Sequence, residues 1–91
     1  MAVYKEQIYL MQGQVIRNID GADQLLPEVE QRVVVAFDES TAMKLLGDRE
    51  PKFKLLGYAT LKDYEDTALN IRAAVTGIDD KWVVYVEPGL A

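Results

Sequence analysis

Arg32-Val33-Val34-Val35-Ala36-Phe37 is the stretch on which the fold turns. Its three consecutive valines are stiff at χ1 and pack well on a pleated surface, which favours extended backbone. Side chains of a strand alternate between two faces, and neither face is polar here. The stretch therefore reads as a central strand, buried on both sides.

Downstream, Asp38 or Ser40 is placed to cap a helix through Leu46, and Gly47 stands where a left-handed residue commonly ends one. Ala42, Leu45 and Leu46 would face the core. After the loop Asp48–Pro51, Lys52–Ala59 reads as a strand with Phe53, Leu55 and Gly57 on one side and Lys52, Lys54 and Leu56 on the other. Thr60 then caps a second helix, with Asp63, Glu65 and Asp66 in its first turns, where the helix dipole favours negative charge. Leu61, Tyr64, Ala68, Ile71 and Val75 repeat at helical spacing and draw one apolar stripe. Gly77 closes that helix, with Ile78 placed for the apolar contact of a Schellman cap. Asp79-Asp80 turns the chain into a last strand, Lys81–Glu87, which Pro88-Gly89 ends.

Upstream, Tyr4–Ile19 reads as a strand bent at Gly13, because Tyr9, Val15, Ile16 and Ile19 favour extended structure. Asn18–Gly21 is a turn, and Ala22–Glu30 a connection with one short helical turn, limited by Pro27. Residues 1–91 then form one α+β domain. Its simplest burial scheme is a small two-layer sandwich: a sheet of about four strands with two helices on one face. The helix-linked strands are parallel neighbours or have one member inverted at an edge, and strand order stays open.

Composition narrows the chemistry. With 49% hydrophobic and 27% charged residues among 91, the chain has the material of an ordinary globular domain rather than a disordered one. It has no cysteine and no histidine, which removes disulfides, thiol nucleophiles, zinc sites built on sulfur or imidazole, and the usual neutral-pH general base. Ser40, the only serine, has no histidine to activate it. The glycines form no phosphate-cradling motif. Asp63, Glu65 and Asp66, and Asp79-Asp80, are explained by helix-dipole compensation and turn formation, so no metal, cofactor or catalytic residue is expected.

A formal charge of −5 disfavours binding to phosphate backbones, so no direct nucleic-acid partner is expected. The longest apolar runs, Val33–Phe37 and Trp82–Val86, are too short to span a membrane, and the N-terminus shows no signal-peptide pattern. A cytoplasmic location follows as the default. What remains is apolar surface. Trp82, Val84 and Val86 against Val83 and Tyr85 make the last strand apolar on both sides, and Leu56 with Tyr58 does the same for the outer side of Lys52–Ala59. Two helices on one face would leave these uncovered. Trp82, Val83, Tyr85, Leu56 and Tyr58, with the acidic Asp63, Glu65 and Asp66, are therefore the expected partner-binding residues. The resulting expectation is a non-catalytic protein–protein interaction domain. It has the size and acidity of small inhibitors or modulators encoded by phages and mobile elements. The alternatives are an assembly subunit that acts by homo-oligomerising, or a small enzyme with its pocket between protomers.

Overall fold

The central valine strand lies where its composition puts it. In the structure, a computed structural model that describes residues 7–61, 65–78 and 81–89, it forms β3 (Glu30–Ala36), with Val33, Val34, Val35 and Ala36 all buried. Its neighbour is β1 (Gln7–Ile19), antiparallel to it in a register running from Gln7 opposite Ala36 to Gly13 opposite Glu30. β4 (Phe53–Thr60) pairs antiparallel with the same residues of β1, so it occupies the other edge of that strand. β5 (Val84–Val86) lies parallel to β3, with Val34 opposite Tyr85. Across its main body the sheet therefore runs β4-β1-β3-β5.

The segment after the first turn is a strand, not a connection with a helical turn. β2 (Ala22–Leu25) pairs antiparallel with Ile16–Ile19 and brings the number of strands to five. Asp20 and Gly21 both have positive φ, 53° and 84°. That pair of values makes a tight hairpin whose twist matches the flanking strands, and it carries the chain straight back along β1.

The chain is α+β as its composition and pattern imply, but the helices do not share one face. α1 (Glu39–Arg49) covers Tyr9, Met11, Val34 and Ala36 with Ala42 and Leu46, while α2 (Glu65–Val75) sets Ile71 on Ile8, Val33 and Val35 on the opposite side. The reason is strand order. From β3 to β4 the chain crosses β1 in one direction, and from β4 to β5 it crosses back over β1 and β3 in the other. Parallel crossovers strongly favour one hand, and two crossovers travelling in opposite directions keep the same hand only on opposite faces. The small α+β sandwich thus stands in outline, with the difference that the body of its sheet has one helix on each side.

The helix ends follow local rules with two differences. Asp38 caps α1, its Oδ1 accepting from the Thr41 N–H at 2.8 Å, but the helix continues through Gly47 to Arg49. Glu50 ends it, its N–H donating to the Leu46 carbonyl at 2.8 Å. Thr60 is the last residue of β4, directly ahead of Leu61. At the end of α2, Gly77 has φ 83°, its N–H donates to Ala74, and Ile78 N–H donates to Ala73, the Schellman pattern. Ile78 is nevertheless exposed, so the backbone bonds form without their apolar contact. Leu61 and Ile71 are buried as the stripe requires, whereas Val75 is exposed. Tyr64, Asp63, Asp79, Asp80 and the side chains of Glu65 and Ala68 lie outside what is described.

Candidate functional site

Each face of the last strand is occupied from within the chain. Trp82, Val84 and Val86 pack with the α2 cluster and Tyr85 with the α1 cluster. The ladder puts Val34 and Tyr85 on one side and Val33 and Val84 on the other, so β5 inherits the two covers of β3. Tyr85 is half-buried, and its hydroxyl donates to Glu50 Oε2 at 2.7 Å. An interface centred on both faces of this strand therefore loses its motive, since a helix covers each face. Only Val83 is exposed, just before the strand. Trp82 is half-buried; the Lys81 ammonium lies 5.7 Å from its ring centroid, and its buried Nε1 has no hydrogen-bond partner among the described residues.

Around Tyr85 the chain builds its most connected polar group. Arg32, on the α1 side of β3, donates from Nε to the same Glu50 oxygen at 2.7 Å and from Nη1 to the Gln31 carbonyl at 2.9 Å. Its guanidinium stands 5.2 Å from the centre of the Phe53 ring, and Glu30 Oε1 lies 3.8 Å from Nη2. Arg32 and Glu50 side chains are 13% and 20% exposed. Desolvation, then the bond to Glu50 and its charge, push the Tyr85 phenol above its ordinary value. The phenol thus stays protonated at neutral pH and cannot serve there as a base. The group ties the end of α1 to β3, β5 and Phe53, and its members satisfy one another. Among the described residues, no three acidic side chains converge as metal ligands.

Leu56 and Tyr58 part company as well. Between Gln12 opposite Gly57 and Gly13 opposite Leu55, β4 carries one extra residue, Leu56. This bulge turns Leu56 and Gly57 to the same side and shifts every later residue by one. Tyr58 is thereby opposite Met11, on the α1 side, where its ring meets Tyr9 edge-on at 5.9 Å. Its phenol is raised chiefly by a hydrogen bond to Glu39, with desolvation second. Leu56 stays on the α2 side, 54% exposed. Gly13 explains the position of the bulge: a Cβ there would overlap the Lys54 carbonyl oxygen and come within 2.5 Å of the Phe53 ring.

That bulge and the hairpin together make the surface with the strongest claim to function. α2 packs over β5, β3 and the first part of β1, and nothing described covers the same face farther along. There the even-numbered residues of β1 lie beside Gln31 of β3, Leu25 of β2, and Lys54 and Leu56 of β4. Leu25 is 43% exposed and Ile16 half-buried. Val75 and Ile78 expose apolar surface at the end of α2. Among the expected binding residues whose side chains are described, Leu56 alone falls on this shelf. Val83 and Asp66 are exposed elsewhere, and Tyr58 and Tyr85 belong to the opposite side. Gln12, Ile16, Leu25 and Gln31 were missed because they acquire a shared face only once β2 and β3 are aligned on β1. Their one legible signal is the alternation Gln12, Gln14, Ile16, Asn18.

No described helix is long and apolar enough to cross a membrane. Comparison of the chain with protein families, with curated proteins and with solved structures finds no match.

Proposed function

We propose that this chain is a non-catalytic protein-docking domain and that the helix-free half of its sheet is the docking surface. The observation that carries the reading is the exposure of Leu25 and Leu56 on a strand face beside α2 that none of the described residues covers. Apolar side chains gathered on one open face, rather than scattered singly, mark contact surfaces. The internal satisfaction of Arg32, Glu50 and Tyr85 supports a structural role for the chain's most connected polar group, and so supports the non-catalytic part of the reading.

The test compares tagged wild type with Leu56→Asp and Leu25→Asp in affinity capture. Both side chains are exposed, so the variants should keep the wild-type circular dichroism and melting temperature. The expected result is loss of bound protein, self or other, from both variants, with retention by Met43→Asp on the exposed side of α1. Equal capture by all four proteins would reject this face as the docking surface.

A further inference from the structure

Resting on that reading, we infer that the β1–β2 hairpin opens independently of the sheet body and that the Asp23–Lys52 ion pair is the latch that holds it shut, with Leu25 and Leu56 on one face.

Three features set the hairpin apart from the body. The β4 ladder follows β1 only to Val15, and it closes with the Ile16 N–H donating to the Lys52 carbonyl at 2.7 Å. From Arg17 onward, β2 is the only strand beside β1 among the described residues. The passage from β2 to β3 is irregular as well. From Leu25 opposite Ile16 to Glu30 opposite Gly13, the chain takes five steps against three on β1. Pro27 lies within that stretch and has no N–H to give a ladder. Finally, Arg17 to Leu25 is exposed throughout, so opening the hairpin uncovers little apolar surface. A ribbon of two strands is marginally stable in water, and segments with few buried contacts open well below the cost of global unfolding.

The latch supplies what the ladder does not. Ile16 stands between Leu25 on one side and Lys52 on the other. Asp23 opposes Asn18, two residues farther along. Lys52 Nζ reaches across β1 to Asp23 Oδ2 at 3.1 Å, and Asn18 Nδ2 donates to Oδ1 at 3.2 Å. The bond from Lys52, then that from Asn18, hold the Asp23 carboxyl below its ordinary value, so it is charged at neutral pH. Both members of the ion pair are more than half exposed, so salt weakens the latch. The docking face is thereby divided: Leu56 stands on β4, whereas Leu25 leaves with β2 when the hairpin opens.

The experiment is amide hydrogen exchange of the full chain, followed by NMR. Antiparallel pairs alternate between bonded and unbonded. The Leu26 N–H bond to the Val15 carbonyl therefore makes Arg17–Gln24 and Ile19–Ala22 the bonded pairs of the hairpin. Their amides should exchange at least about a hundredfold faster than those of Val33–Val35. Lys52→Ala should speed hairpin exchange roughly two- to fivefold and leave Val33–Val35 unchanged. Salt at about 1 M should do the same to the wild type and add nothing to Lys52→Ala. Asn18 and Asp23 form an unbonded pair, whose close Cα atoms suit a disulfide. In this cysteine-free chain, Asn18→Cys with Asp23→Cys should shut the hairpin when oxidised. Its exchange should then slow, and affinity capture should exceed that of the reduced form. Hairpin amides that exchange at the rate of Val33–Val35 overturn the independent opening. Hairpin exchange unchanged by Lys52→Ala overturns the latch. An oxidised form that captures no more than the reduced one overturns the link between the shut hairpin and docking. Equal capture by wild type and Leu56→Asp, with exchange as expected, rejects the docking face and leaves the latch standing.

Discussion

Replacing Glu50 by alanine removes the acceptor shared by two donors, and the structure allows the cost to be worked out. Glu50 Oε2 accepts from Arg32 Nε and from the Tyr85 hydroxyl, both at 2.7 Å. A hydrogen bond to a charged group contributes about 1.5–3 kcal/mol, so the pair sets an upper bound of roughly 3–6 kcal/mol. Two features lower it. Arg32 keeps the Gln31 carbonyl and the nearby Glu30, so its charge is not stranded. The pair also retains some contact with solvent, which screens the attraction. The backbone bond from residue 50 to Leu46 survives the change. We therefore expect a loss of about 2–3 kcal/mol, a large share of the roughly 5–14 kcal/mol that a chain of this length commands. In melting temperature that is a fall of roughly 10–20 °C. Urea unfolding followed by circular dichroism measures it, with Tyr85→Phe and the double variant completing a cycle. Coupling of about 0.5–1.5 kcal/mol between the two positions is expected. A Glu50→Ala loss below about 0.5 kcal/mol, the level of an ordinary surface substitution, together with no coupling, would refute the claim that this group holds α1 to the sheet.

Gly13→Ala should destabilise, because its Cβ would strike the Lys54 carbonyl oxygen, which cannot rotate away, as well as the Phe53 ring. Overpacking costs about 1–3 kcal/mol and the gain in backbone stiffness returns about 0.5–1, so a net loss near 1 kcal/mol is expected in urea titration; a stabilised variant would show that β4 moves freely. Ile71→Ala, at a fully buried site, should cost about 2–5 kcal/mol, and a loss as small as a surface change would mean that α2 is loosely docked. Tyr9 and Tyr85 have folded-state pKa values raised above 10.0, both first by desolvation. Their neutral forms therefore favour folding fully below the unfolded value, and that contribution is lost as pH rises through the folded values. Denaturant midpoints should hold up to the ordinary tyrosine range and fall above it, and Tyr85→Phe should flatten the fall; an unchanged alkaline slope in that variant would remove Tyr85 from the account.

Much of the architecture is local, and local rules are written in residue order. The valines of β3, the positive-φ turn at Asp20-Gly21 and the Gly77 helix end each depend on a few neighbours, so the sequence by itself determined them, and it narrowed the α1 cap to Asp38 or Ser40. It also determined the missing chemistry, since a chain without histidine or cysteine cannot acquire their reactions by folding. Tertiary structure decided which side things face. Strand pairing is non-local: once β1 stood between β3 and β4, the return crossover had to pass on the other face, and β5 was covered twice. One extra residue at Leu56, forced by the Phe53 ring over Gly13, then sent Tyr58 to one side and left Leu56 on the other. Strand alternation has a period of two, so a single bulge or a change in strand order reverses every later assignment of inside and outside.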